Sequence, residues 1–273
     1  MKKQRAFEQI VAGIFLILGM ITVVSVLLIT IYLVIAGVPA IRKIGLISFL
    51  FGKEWHSTAA TPEFGILPFI LTSIYGTVCA VILGAPIGFL TAVFLSKIAP
   101  YNLRRAVETA VSLLAGIPSV VYGLVGMLIL VPAIRNIFHI PDGASLLAAI
   151  VVLAIMVLPS IIKVSLNALD AVPKEYEEAS LALGATPVET YFKVSVPAAK
   201  SGIAAAIVLG VGRAIGEAMA VMMVSGNVPN MPSLFQSVRF LTTAVASEMS
   251  YSSGLQRQAL FSISLVLFFF IML

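Results

Sequence analysis

Long apolar runs broken by short polar stretches set the pattern of this chain. Six runs reach membrane length, at about 10–37, 66–96, 107–133, 144–168, 201–226 and 256–273. A spanning helix takes about 20 mostly apolar residues. Backbone groups in lipid must be paired within a helix or a closed barrel, and these runs are too long for barrel strands. The pattern predicts an all-α membrane protein with six transmembrane helices, organised as one permease-like domain over 1–273. The longest polar interruption, 169–200, reads as an elbow of two short helices. Pro173 suits a first helical turn, where its missing N–H costs nothing. Glu175, Glu177 and Glu178 sit near the positive end of that helix. Gly184 follows the last apolar turn, where a cap favours positive φ. Thr186 and Glu189 have the spacing of a capping box and start the second helix.

Composition agrees with this pattern. Hydrophobic residues make up 60% of the chain and charged residues 11%, with a mean hydropathy of +1.10. A soluble domain carries about 25% charged residues. The net charge of +5 reflects basic residues beside apolar runs, where they set topology rather than bind nucleic acid. Met1-Lys-Lys-Gln-Arg followed by a long apolar run predicts a retained first helix, since the run is about twice the length of a signal-peptide core. With the N-terminus inside, Lys2, Lys3, Arg5, Lys97, Arg104, Arg105, Lys163, Lys174, Lys193 and Lys200 fall on the cytoplasmic side. Arg42, Lys43, Lys53, Arg135, Arg239 and Arg257 fall outside. Both termini and the elbow are therefore expected to be cytoplasmic. The chain stops at Leu273 inside an apolar run, so a short further tail is expected.

Other residue types exclude more than they suggest. Cys79 is the one cysteine and reads as a buried thiol, so no internal disulfide exists. His56 and His139 lack ligand spacing, and no metal or cofactor is expected. No Gly-x-x-x-x-Gly-Lys-Ser/Thr stretch occurs, so ATP hydrolysis belongs on another chain. Two outer segments, 38–65 and 227–255, exceed what a connection needs. Trp55 there reads either as an interfacial anchor or as part of a landing surface for an outer partner.

The candidate chemistry lies in the fifth run, Gly210-Val-Gly-Arg213-Ala-Ile-Gly216-Glu217-Ala-Met-Ala220. A charge at mid-bilayer costs at least ~2.5–3.5 kcal/mol, so such residues usually face an interior or a watery path. Arg213 and Glu217 are four apart and would stack on one helical face. They read either as a self-neutralising pair or as groups on a substrate path. An arginine fork matches a tetrahedral oxyanion. Pro86 and Pro118 read as kinks, or as a discontinuous helix aimed at substrate.

Two sets of motifs carry a family resemblance. Glu178-Ala179-Ser180, Gly184 and Val194-Ser195-Val196-Pro197 resemble the "EAA" loop of bacterial ABC-importer permeases, with Ser180 and Val196 departing from the usual Ala and Leu. The resemblance implies that 173–200 couples to an ATPase subunit through Glu178, Ala179, Ser180, Gly184 and Pro197. Gly212-Arg213-Ala214-Ile215-Gly216-Glu217, the stretch from Gly116 to Leu124 (GIPSVVYGL) and the stretch from Phe64 to Ile70 (FGILPFI) resemble the C-type permease of phosphate-specific transport (Pst) systems. That implies a type I ABC importer fold in a bacterial cell membrane and phosphate passage near Arg213 and Glu217. The implied partners are ATP-binding subunits, a second homologous permease and an extracytoplasmic phosphate-binding protein. The residues alone leave open sulfate, molybdate or tungstate, and an ion-coupled secondary transporter.

Overall fold

The structure is a computed structural model that describes residues 2–57, 59 and 61–272, with side chains described from Glu8 onward. Lys2, Lys3, Arg5 and Leu273, used above for topology and for the chain end, therefore have no described side chains. Helix α1 (Lys2–Ile44) is followed by α2 (Leu46–Phe51) and a two-stranded antiparallel hairpin, β1 (Trp55–His56) and β2 (Glu63–Phe64). Helix α3 (Leu67–Lys97) leads to α4 (Tyr101–Gly116). Next come α5 (Ser119–Val125), a π-helical turn (Gly126–Leu130) and α6 (Val131–Phe138). Helix α7 (Leu146–Asp170) precedes the elbow, α8 (Lys174–Ala182) and α9 (Pro187–Thr190). A second π-turn (Tyr191–Ser195) and α10 (Val196–Ala198) run into α11 (Lys200–Gly216). The chain closes with α12 (Met219–Val224), α13 (Leu241–Glu248) and α14 (Gly254–Met272).

Five helical stretches are long and apolar enough to span a membrane: Glu8–Ile44, Leu67–Lys97, Ser119–Phe138, Leu146–Asp170 and Gly254–Met272. A sixth forms if Pro187–Ala198 and Lys200–Gly216, bent by 72°, count together. Helix α7 is the centre of the bundle. Its Val157 and Ile161 face Gly84 and Gly88 of α3 and Gly210 of α11, where a β-carbon would meet them at 2.8–3.0 Å. Three small residues thus bring three helices close enough for backbone-near packing, as membrane helices favour. The C-terminal part of α1 packs on α14, with Ser262 Oγ donating to Gly37 O at 2.6 Å. Upstream of that contact, α1 presents apolar side chains on all sides.

Two expected spans are divided. The run 107–133 does not form one helix, because Ile117 (φ −69°, ψ 127°) and Pro118 (φ −57°, ψ 140°) are extended. Proline removes a donor and drives the preceding residue out of the helical region. The spanning helix starts only at Ser119, and α4 before it is a separate amphipathic helix. The run 201–226 is helical to Gly216, breaks at Glu217 (φ −73°, ψ 127°) and resumes at Met219. Pro86, in contrast, lies inside a continuous α3.

Trp55 is not an interfacial anchor. It is buried in a cluster with Phe49, Phe64 and Phe69. Its Nε1–H points at the Glu248 carboxylate, 3.3 Å from both oxygens. Glu248 also pairs with Arg239 and accepts from Gln256 at 3.0 Å. This group of side chains ties the hairpin, the 227–255 segment and the start of α14 into one ordered end of the bundle. The elbow lies at the other end, beside Lys97 and Asp170, where α3 and α7 terminate.

Candidate translocation and coupling sites

Arg213 stands in the last turn of α11, just before the break at Glu217. It is half-buried, and its one hydrogen bond among the described residues runs from Nη1 to Ser160 Oγ on α7, at 3.2 Å. A guanidinium carries five N–H donors, so most of its capacity is unused among the described residues. No carboxylate lies within ion-pair distance of it among the described residues.

The expected stacking of Arg213 on Glu217 is not found. Glu217 lies past the helix end, and its extended backbone removes it from the i+4 position. Its Oε1 accepts the N–H of Ala220 at 3.0 Å, and its carbonyl accepts from Thr242 Oγ1 at 2.7 Å. It therefore caps α12 and fixes the break. A self-neutralising intrahelical pair does not describe these two residues.

The two stretches flanking the breaks meet in space. Gly123 of α5 faces the backbone of Ala220 of α12, where a β-carbon would stand 2.8 Å from the Ala220 Cα. Tyr122 bridges the Ile117–Pro118 break by donating from its hydroxyl to Leu114 O at 2.8 Å. The GIPSVVYGL stretch and the Arg/Glu stretch, far apart in sequence, thus form adjoining walls. Ser160 and Thr242 were not singled out from sequence. Ser160, the residue after Pro159 in an otherwise apolar run, was the available signal.

The elbow is built as its caps suggest. Gly184 has φ +89° and an empty Cβ position. Thr186 and Glu189 form a reciprocal capping box. Ser180 and Thr190 hydroxyls lie 2.9 Å apart and join the two short helices. Glu177, read from the sequence only as an acid at the helix start, locks the elbow to the bundle: it pairs with Lys97 at the end of α3 and accepts from Ser195 Oγ at 2.8 Å. Burial pushes its carboxyl upward, but Lys97, Ser195 and Lys174 outweigh that and hold it below its ordinary value. Glu178 and Ala179 are exposed. So are the apolar side chains of Tyr176, Leu181, Val188 and Leu183, the last at 90%. Val196 and Ala199, on either side of Pro197, join the apolar cluster of α3, α4 and α7.

Among the described residues no three His, Cys, Asp or Glu side chains are grouped as a metal site. His56 sits beside Glu54 at 3.4 Å on the surface.

Comparison with known proteins places this architecture. Residues 84–273 match the family model of the binding-protein-dependent transport system inner membrane component. This chain belongs to that permease family. It is 39% identical to the probable ABC transporter permease protein YqgH of Bacillus subtilis, over 93% of this chain and 85% of that protein. It is 37% identical to the phosphate transport system permease protein PstC of Pasteurella multocida, over 81% of this chain and 75% of that protein. PstC of Haemophilus influenzae is 33% identical over 96% of this chain and 87% of that protein. An inward-facing structure of the MetNI methionine ABC transporter shares the fold, with TM-score 0.61 and 22% identity over 76% of this chain and 89% of that one. The chain is an all-α, multi-pass inner-membrane permease with the type I ABC importer fold.

Proposed function

We propose that the chain is the permease subunit of an ATP-driven importer of inorganic phosphate, with Arg213 on the substrate path. The single observation behind this reading is a half-buried guanidinium with no acidic partner among the described residues, set on an apolar helix just before its break at Glu217. A cation so placed has its field available to a passing anion. The likeness to PstC proteins supports phosphate as that anion. Glu217 acts by fixing the end of α11 and the start of α12, and so the aim of Arg213. ATP hydrolysis occurs on separate ATP-binding subunits, which engage the elbow through Glu178, Ala179, Ser180, Leu183 and the Gly184 turn. A second, homologous permease completes the pathway, and an outer phosphate-binding protein meets the ordered end built around Trp55 and Glu248. Both termini and the elbow face the cytoplasm.

Reconstituted complexes test this. Radiolabelled phosphate uptake should require ATP and the binding protein, and unlabelled arsenate should compete better than sulfate or molybdate. Preferential sulfate or molybdate uptake would reassign the anion. Gradient-driven uptake by this chain alone would discard the ABC reading.

A further inference from the structure

Lys163 has no part in the contacts described so far. On α7, Val157 and Ile161 face α3 and α11. Ile162 and Leu166 join Val111 of α4 in an apolar cluster. Ser160, Lys163 and Asn167 follow at spacings of three and four, so they share a further face. Ser160 holds Arg213. Lys163 and Asn167 line a cavity of 180 Å³ between α7 and α4, together with Ser112 and Glu108.

Lys163 is half-buried and has no carboxylate within ion-pair distance among the described residues. Glu108 of the same cavity is held by Arg104, which also holds Asp170. From Ser160 to Lys163 the helix advances about 4.5 Å toward the elbow end.

We propose that Lys163, with Ser112 and Asn167, forms a second anion-contact site one turn beyond Arg213 on the elbow side. It receives the tetrahedral oxyanion as the anion leaves Arg213. The inference rests on the reading of Arg213 as a substrate contact. Two sites of graded strength are what passage requires, since a single strong site would retain the anion. The planar fork of Arg213 binds an oxyanion through two oxygens. The ammonium of Lys163 is a hydrated point charge without that geometry. Glu108 across the cavity weakens the hold further and favours release.

Two other roles are open to a lysine here: snorkelling to anchor α7 at the lipid headgroups, and balancing the acidic pair around Arg104. Phosphate uptake by reconstituted complexes separates the three. Lys163→Gln should slow uptake on the order of tenfold, from the loss of a unit charge about one turn away. Lys163→Arg should stay near wild type. Moving the cation across the cavity, Lys163→Gln with Ser112→Lys, should restore uptake without restoring an anchor on α7. Lys163→Gln with Glu108→Gln should restore it only in part, since the neutral cavity offers the anion no cation. Wild-type uptake by Lys163→Gln, or full rescue by adding Glu108→Gln, overturns the proposal. If Arg213→Gln also transports normally, the reading of Arg213 falls as well; if only Lys163→Gln does, that reading stands.

A second measurement is independent of transport. Asn167→Cys, in a Cys79→Ser chain, should react with a membrane-impermeant thiol reagent. Inorganic phosphate should slow that reaction more than chloride at equal ionic strength, and Lys163→Gln should abolish the protection. An unreactive thiol, or protection that survives Lys163→Gln, contradicts the site.

Discussion

Glu177→Gln should undock the elbow from the bundle while leaving the spanning helices in place. The Glu177 and Lys97 side chains are 20% and 10% exposed, so the pair is largely shielded from water. Removing one member of such a pair leaves a buried lone charge, at a cost of roughly 3–5 kcal/mol. The carbonyl of Leu169, 3.3 Å from Lys97 Nζ, remains as a partner and offsets part of that. A net loss of about 3 kcal/mol corresponds to about a hundredfold shift toward the undocked elbow. Lipid burial holds the spans, so membrane abundance should stay near wild type. Amide hydrogen exchange across 174–182 should accelerate about a hundredfold, and ATP hydrolysed per phosphate imported should rise. Replacing both partners by apolar groups, Lys97→Met with Glu177→Leu, should restore most of the protection, because no lone charge remains. Unchanged exchange in Glu177→Gln, or a double variant as loose as the single, would refute the clamp.

The remaining predictions concern the elbow and the topology. Gly184→Val places a β-branched residue at φ +89° with no neighbour within 4 Å, so its cost is purely backbone, on the order of 1 kcal/mol or more. ATPase association measured by co-purification should fall while membrane insertion stays intact. The Glu189 carboxyl is lowered to about 2 by the Thr186 backbone N–H, Lys193 and the Thr186 hydroxyl. A depressed carboxyl supports the fold fully above its unfolded value near 4.5 and loses that support as pH falls toward 2. The cap of α9 should therefore be intact from pH 5 to 8 and fray only in acid, as a titration of Glu189 by NMR would show. In a Cys79→Ser chain, a cysteine at Asn230 should label from the outside and one at Glu189 should not; the reverse pattern would invert the orientation.

How much of this was legible in the sequence varied with the type of signal. The elbow was readable because its determinants are local: Pro173, the Gly184 turn and the Thr186–Glu189 box act within a few residues of themselves. Five of the six spans were readable because lipid imposes length and apolarity; the sixth holds only if the pair bent by 72° counts as one. The break at Ile117–Pro118 was legible only as one of two readings of Pro118, since Pro86 in the same kind of environment leaves α3 continuous, and the break at Glu217 was not legible. What separates them is tertiary: Tyr122 satisfies Leu114 O, and Thr242 satisfies the Glu217 carbonyl. For the same reason an i,i+4 spacing misled at Arg213 and Glu217, because the spacing has meaning only while the helix persists. The burial of Trp55, which removes the anchor reading, was not legible because its partner Glu248 lies 193 residues away.

The central claim is that Arg213 contacts the anion and is not half of a structural ion pair. The direct measurement is ATP-driven phosphate uptake at matched membrane levels by wild type, Arg213→Lys, Arg213→Gln and the double variant Arg213→Leu/Glu217→Leu. With no ion pair between the two residues, uptake should fall in Arg213→Lys, fall further in Arg213→Gln and stay low in the double variant, while ATPase association is unchanged. Recovery of transport in the double variant would contradict the account.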